Sequence, residues 1–559
     1  MEFAEFIKTP QVQSVVVKRP LRQDLEGALC VTGHHLIVSN RDKEEFLLIH
    51  KNVEVVEKQL SSGLSHIKLK CKNFEVIHIE FKSSEECSNV ASSIENLSNV
   101  ESTEFLYPFF YRPNSDIKEN GWEAFKVETE FARIKYKTDQ FRLSYVNKEF
   151  DVCPSYPQAL IVPKTIDDDE LRIIAKFRHL GRFPVLSYYH KETQASLMRC
   201  SQPLVGTNNN RCKEDEKLLK AILTSSHKGF LIDTRSAQNS KVEASRGKGV
   251  ESDIHYSQWR KIHQNIERHF VLHESLSKLI EVVNDKSCTS DKWISRLESS
   301  GWMTHMSSVL TCACFVAQCI DRDKASVVVH GSDGTDSTLQ VTSLAQLLLD
   351  PDCRTVRGFQ ALIEREWIQG GHPFGQRCAK IAFGSTPNRQ EAPVFLLFLD
   401  CVWQIWQQYP CSFEFSDKFL VLLFHNAYSS QYGTFLSNCE FDRRKYDIKN
   451  RTVSLWSYVN QPNVIGDLMN PLYEPNHSVI WPSVAPQSLN FWSNVYAAFK
   501  PSRIQQDKLV DYIRNIKDED KQLKSRVIKL RRQLANLERE AIEKNLIPHH
   551  HSKSSQRSA

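Results

Sequence analysis

Along the first hundred residues, short apolar runs alternate with polar turns: Ser14 to Val17, Ala28 to Thr32, His35 to Ser39, Glu45 to His50, Ile67 to Cys71 and Phe74 to Phe81. Many of these positions are β-branched, and Gly33 and the Ser39-Asn40-Arg41-Asp42 cluster supply turns. The pattern predicts a small antiparallel β domain. The period then changes, with Cys87, Val90, Ala91, Ile94 and Leu97 falling on one face of a closing amphipathic helix. From Gly121 the sequence turns aromatic-rich, and strand-like and helix-like segments alternate, as in an α/β domain. The most apolar run, Pro393 to Trp406, is shorter than a bilayer requires and contains Asp400, so it reads as a buried helix rather than a membrane span. After Pro501 the period becomes that of a heptad seam.

One stretch concentrates the candidate chemistry. Val327 to Val329 form a β-branched run suited to a buried strand, and Leu339, Val341, Leu344, Leu347 and Leu348 recur at helical spacing. Between them lies a loop of small and polar residues, His330, Gly331, Ser332, Asp333, Gly334, Thr335, Asp336 and Ser337. A strand, a tight turn and a helix N-terminus aim backbone N–H groups and a helix dipole at one point, which suits an anion. Cysteine-dependent phosphoryl transfer needs two more groups there. One is a thiolate at the start of the loop, and the other is an arginine at its end.

This loop resembles that of the myotubularin family, phosphatases that remove the 3-phosphate of phosphoinositides and whose loop reads His-Cys-Ser-Asp-Gly-Trp-Asp-Arg-Thr. His330, Ser332, Asp333, Gly334, Asp336 and Thr338 match in register. Gly331 stands where the family has its cysteine, Ser337 where it has its arginine, and Thr335 where it has tryptophan. The resemblance implies a catalytically dead member. Gly331 can form no phosphoenzyme, and Asp336, a general acid in active relatives, has no such step to assist. An ordinary strand-loop-helix turn would share the local pattern, but further motifs extend the likeness over most of residues 110–490. They include Cys153-Pro154-Ser155-Tyr156-Pro157, Phe177-Arg178-His179, Gly371-His372-Pro373-Phe374 and Asn470-Pro471-Leu472-Tyr473. Near Asp233-Thr234-Arg235, active relatives carry an Asn-Ala-x-x-Asn segment lining the inositol pocket. Here the segment reads Asn239-Ser240-Lys241-Val242-Glu243, and Glu243 in the second asparagine's place would set a negative charge where an anionic headgroup sits. Drift of a loosely aligned loop is the other reading.

Gly27 to Thr32, leading into His35 to Ser39, resembles the strand pair that opens a PH-GRAM module, which precedes the phosphatase domain in this family. Such modules can bind phosphoinositides, and Lys18, Arg19, Arg22, Lys68, Lys70 and Lys72 are available as headgroup ligands. The alternative is a solvated basic face.

In the C-terminal seam, Leu509, Ile516, Leu523, Leu530 and Leu537 take position d, and Ile513, Asp520, Val527, Leu534 and Ala541 take position a. Val527 at a with flanking leucines at d favours two strands. In a parallel homodimer Asp520 would face its own copy, and Arg526 would meet Arg531, while Glu519 with Lys524 would attract. These conflicts predict a heteromeric coiled coil, and the resemblance points to a catalytically active myotubularin as partner. An amphipathic helix docked on its own domain, and weak or antiparallel self-association, are the alternatives.

Composition narrows the rest. The net charge of +5 and the charged fraction of 25% give no reason to expect nucleic acid. Fifteen cysteines without a Cys-x-x-Cys pair suggest reduced thiols; Cys312 and Cys314 lack the second ligand pair of a zinc site, and no metal or cofactor is expected. The N-terminus carries acidic residues and no long apolar core, unlike a signal peptide. The expected organisation is multi-domain. It comprises a β-rich PH-GRAM domain (1–105), an inactive α/β cysteine-phosphatase-like domain (110–500), an α-helical coiled coil (503–545) and a disordered tail (546–559). The expected function is a pseudophosphatase that regulates an active relative through the coiled coil. A stand-alone phosphoinositide-binding scaffold is the alternative. The expected setting is cytoplasmic, with peripheral association with endosomal or other endomembranes.

Overall fold

Alternating burial builds the first sheet. In β1 (Gln11–Lys18) Val12, Val15 and Val17 are buried, and a register shift between Val12 and Val15 brings both valines to the same face. In this computed structural model, which describes residues 3–40, 44–113, 119–223, 228–285, 289–384, 390–499 and 508–544, six further strands join it. They are β2 (Leu25–Val31), β3 (His35–Ser39), β4 (Glu45–Ile49), β5 (Val53–Gln59), β6 (Ser65–Cys71) and β7 (Val76–Phe81). The seven-stranded sheet runs β4-β3-β2-β1-β7-β6-β5, antiparallel throughout. Helix Ser84–Ser98 closes it with the predicted Cys87, Val90, Ala91, Ile94 and Leu97 buried. Strand β5 escapes the hydrophobic pattern because it is an edge strand in which only Val53 is fully buried.

Two segments of this domain, the turn between β6 and β7 and the start of β5, reach the next one. Phe74, at φ 69°, leaves the β core for the larger α/β core, where it stacks on Phe424 at 5.6 Å. The Glu54 carboxylate accepts the backbone N–H groups of Ala382, Phe383 and Gly384 at 3.3, 2.9 and 3.0 Å.

The α/β domain opens with the antiparallel pair β8 (Phe141–Ser144) and β9 (Leu160–Pro163). Its main sheet contains β10 (Val185–His190), β11 (Ala195–Ser201), β12 (Gly229–Asp233), β13 (Trp259–His263) and β14 (Ser326–Gly331), in the order β10-β11-β14-β12-β13. All neighbours are parallel except β10 and β11. The Val327 to Val329 run lies in the central strand for a physical reason. Val327 and Val329 join the core built with helices Trp302–Asp321, Ser337–Leu349 and Val394–Gln408, while Val328 joins the opposite core with helices Asp168–Phe177 and Lys213–Ala221. Helix Trp302–Asp321 is long and apolar enough to cross a membrane by length and composition, yet its Trp302, Met306, Val309 and Val316 belong to this core.

Every residue of helix Ser337–Leu349 is buried. Two of its polar side chains are held by bonds across the core: Gln340 donates to Val394 O at 2.8 Å, and Thr342 donates to the Glu366 carboxylate at 2.8 Å.

The C-terminal residues 500–559 form a separate unit. Its helix, Lys508–Glu543, falls within the expected 503–545 span. Leu523, Val527, Leu530, Leu534 and Leu537 are exposed, from 47% at Val527 to 62% at Leu537, and Ala541 is half-buried. The side chains of Leu509, Ile513, Ile516 and Asp520, and the tail 546–559, lie outside the described residues.

The lysines expected to be free for a headgroup are not all free. Lys18 pairs with Glu80 at 2.6 Å, and Lys68 and Lys70 both pair with Glu57, at 3.1 and 2.5 Å. Lys72 is 2% exposed, because it sits between Cys71 in the β core and Phe74 in the other domain's core. Burial, and then the charge of Lys51, push its amine down to about 7. The unfolded lysine therefore stays protonated to higher pH than the folded one. Stability carries the full penalty below pH 7 and recovers as pH rises from there toward the unfolded pKa. Lys72→Met is expected to raise the melting temperature at pH 6.5 by several degrees, a gain of order 2–4 kcal/mol, and the gain should shrink steadily by pH 9 in a thermal unfolding series.

Candidate functional site

The loop between β14 and helix Ser337–Leu349 emerges at the carboxyl end of the central parallel strand, where α/β sheets present their sites. All eight predicted loop residues are brought together there. Among the described residues, no acceptor bonds the backbone N–H groups of 332–336, so the turn keeps donors facing the loop. Gly334 requires its glycine: φ is +72°, and an added Cβ would lie 2.3 Å from Cys200 O.

At Gly331 an added Cβ would meet the Thr234 hydroxyl at 2.7 Å and the Ser337 and Thr338 hydroxyls at 3.4 Å. Thr234 and Ser337 hydrogen-bond to each other across this point, Oγ1 to Oγ, at 2.7 Å. Thr234 follows directly after β12, and its N–H donates to His330 O at 2.9 Å, so sheet register fixes it beside the loop. The space above the end of β14 thus contains a closed pair of hydroxyls.

Charged groups from distant segments hold the rest of the loop. The Asp336 carboxylate, 11% exposed, meets Arg377 at 2.9 Å, His269 at 2.9 Å and His372 at 3.2 Å. Burial alone would raise this carboxyl, but Arg377 and the bonds from the two histidines outweigh it and hold it well below the usual carboxylate range. Asp336 is fixed as an anion and has no proton to donate near neutral pH. Arg268 donates to Ser332 Oγ at 2.6 Å, which directs that hydroxyl to a guanidinium. His179 lies 3.4 Å from Asp333, and His372 Nδ1 donates to Thr335 O at 2.8 Å. Arg182, fully buried, donates to Gly334 O and Gly370 O, each at 2.8 Å, and lies over the Tyr156 ring.

Beneath the loop runs a second buried network. His330 Nε2 lies 3.3 Å from Glu251, Glu251 pairs with Arg178 at 2.7 Å, and Arg178 forks onto both oxygens of Asp215 at 2.8 and 2.7 Å. Desolvation pushes Glu251 up, but His330 and Arg178 hold it far below its ordinary value.

Glu243 modifies the sequence-based picture. It is largely buried on helix Ala237–Ala244, where it takes Lys248 at 3.0 Å, Arg246 at 3.2 Å and the Gln202 amide at 3.2 Å. Burial raises its carboxyl, but the Lys248 and Gln202 bonds bring it below normal, so its charge is locally compensated rather than bare. Gln202 N–H also donates to Ser332 O at 3.3 Å, linking Glu243 to the loop. Arg268, His269 and Arg377 carry no local signal in the sequence, whereas Thr234 and His372 lie within the quoted Asp233-Thr234-Arg235 and Gly371-His372-Pro373-Phe374 motifs. Among the described residues, no group of three or more His, Cys, Asp or Glu could hold a metal ion.

A β-rich module followed by an α/β domain with this strand-loop-helix site defines a cysteine-phosphatase-like architecture. A family model described as a myotubularin-like phosphatase domain matches residues 106–444, and one described as the MTMR6-9 GRAM domain matches residues 11–98. Myotubularin-related protein 9 of Homo sapiens is 54% identical over 542 residues, covering 97% of this chain and 99% of that protein. Myotubularin-related protein 9 of Caenorhabditis elegans is 42% identical over 563 residues, with the same coverages of 97% and 99%. Phosphatidylinositol-3,5-bisphosphate 3-phosphatase MTMR6 of Homo sapiens is 35% identical over 532 residues, covering 94% of this chain and 85% of that protein. The chain belongs to the myotubularin family.

The crowding at Gly331 is open to test. Gly331→Cys is expected to cost about 1–3 kcal/mol in urea unfolding, because its Cβ meets Thr234 Oγ1. Adding Thr234→Ala should recover at least half of that loss, giving a coupling energy that a double-mutant cycle reads directly. Strictly additive losses would show that Thr234 does not limit the position.

Proposed function

We propose that this chain is a pseudophosphatase: a catalytically inactive regulatory subunit that heterodimerises with an active phosphoinositide 3-phosphatase of its own family and alters that enzyme's activity, stability or location. The observation that carries the reading is the pair of residues at the loop's two chemical positions. Gly331 offers no nucleophile where the family pattern has cysteine, and Ser337 offers no guanidinium where it has arginine. The Thr234–Ser337 hydroxyl pair supports it, since it takes up the space a side chain at 331 would need. Asp336, held as an anion by Arg377 and two histidines, supports it from the side of acid catalysis.

The partner reading rests on the C-terminal helix. Exposed Leu523, Val527, Leu530, Leu534 and Leu537 supply an apolar seam, and the sequence places Asp520 at a core position where a basic or amide residue of another chain would relieve it. A relative named as a phosphatidylinositol-3,5-bisphosphate 3-phosphatase gives the chemical class of enzyme that such a subunit would serve. Binding to the folded enzyme stabilises it by mass action, and recruitment to endomembranes follows from the enzyme's lipid substrate.

A second reading is favoured by one observation, the unbonded backbone N–H groups of 332–336. In it the loop binds a phosphoinositide headgroup without turning it over, and the chain acts alone as a scaffold. Two measurements separate the readings. Mixed with an active family phosphatase, the full chain is expected to co-elute with it on size exclusion and to change its release of phosphate from phosphatidylinositol 3-phosphate. Leu530→Asp with Leu534→Asp should weaken the complex at least about tenfold. Unchanged turnover without a complex, together with headgroup binding that survives deletion of 501–559, would favour the scaffold.

A further inference from the structure

Along helix Lys508–Glu543 the charge changes character between residues 521 and 537. That stretch holds Lys521, Lys524, Arg526, Lys529, Arg531 and Arg532, and no Asp or Glu. Arg526 with Lys529, and Lys529 with Arg532, stand three residues apart, like-charge spacings that destabilise a lone helix. No carboxylate lies three or four residues from Arg526 or Arg531, so the helix offers neither of them an ion pair of its own. Lys524 differs, with Asp520 four residues before it.

The place of these charges matters as much as their sign. With Val527 and Leu534 at position a, and Leu523, Leu530 and Leu537 at d, Arg526 falls at g, and Lys524 and Arg531 fall at e. Those positions border the seam on its two sides, where ion pairs between helices set partner choice. Both arginines are exposed, as are the five apolar residues of the seam.

A second copy of this chain, paired in parallel, sets Arg526 against Arg531 along both edges and adds repulsion. A bilayer is a poor fit. The exposed apolar residues follow a four-three spacing, which makes a narrow stripe, and the stretch contains no Trp, Phe or Tyr to anchor in an interface. A helix with carboxylates along both edges of its own seam answers the charges and covers the apolar stripe at once. Given the heteromeric coiled coil proposed above, we propose that the partner strand facing residues 521–537 is acidic, with carboxylates opposite Arg526 and Arg531.

Two synthetic coiled-coil peptides serve as probes, both with valine at a and leucine at d, one with glutamate at every e and g position and the other with lysine. In calorimetry the full chain should bind the glutamate peptide at least about tenfold more tightly than the lysine peptide, and the preference should shrink as salt rises. Arg526→Glu with Arg531→Glu should raise affinity for the lysine peptide at least about tenfold, a gain that a misfolded variant would not give. The same pair of substitutions should weaken the complex with an active family phosphatase. Co-elution of that enzyme that ignores the charge reversal overturns the acidic strand and leaves the heterodimer standing. A glutamate preference without any enzyme complex supports the acidic strand and removes the enzyme as its bearer. The same affinity for both peptides, or none for either, overturns the proposal. So does binding to phosphatidylcholine–phosphatidylserine vesicles that the glutamate peptide fails to displace.

Discussion

Breaking the Asp336–Arg377 pair from either side would strand a charge in a largely buried place, at a cost of about 3–5 kcal/mol. That constraint fixes the loop after β14 whether or not the loop performs chemistry. His269 and His372 reach the same carboxylate, Arg182 clamps Gly334 O, and the Asp215–Arg178–Glu251–His330 line supports the loop from below. The Asp336 and Glu251 carboxylates are each met by a guanidinium, and Arg182 is held by carbonyl oxygens, so the loop's shape is a property of the fold and not of a bound substrate.

Under the proposed function, loss of catalysis at such a site need not disturb the structure. A glycine at 331 lets Thr234 and Ser337 close on each other, and the two hydroxyls satisfy one another in the space above the strand. The backbone donors of the turn persist because they belong to the strand-loop-helix geometry. Under the proposed function, what remains is a well-supported cradle without the two side chains that phosphoryl transfer through cysteine demands. Under the proposed function, the exposed leucine seam of the C-terminal helix then becomes the working surface of the chain.

Much of this was legible along the chain, because burial leaves a periodic trace. The Val327 to Val329 run, the alternating strands of the first domain and the closing helix with Cys87, Val90, Ala91, Ile94 and Leu97 all follow from which faces are covered. The loop itself was readable residue by residue. Its supports were not, since Arg268, His269 and Arg377 lie far from it in sequence and arrive only through the sheet order and the helices that follow. Edge strand β5 was missed because an edge needs few apolar residues. Lys72 misled for the opposite reason. It continues an alternating Lys68, Lys70, Lys72 series that looks solvated, but the turn holding it is inserted between two domains. The sequence reads Glu243 either as a negative charge in the headgroup's place or as drift of the loop, and Lys248, Arg246 and Gln202 had to be placed in space before the compensation of its charge was visible.

The central claim concerns covalent chemistry at the loop, and trapping of the phosphoenzyme addresses it most directly. The purified full chain, incubated with phosphatidylinositol 3-phosphate labelled in its 3-phosphate and quenched in acid, should retain no label on protein and release none as phosphate. Protein-bound label that maps to the peptide containing residues 326–349, accompanied by turnover of the lipid, would contradict the account.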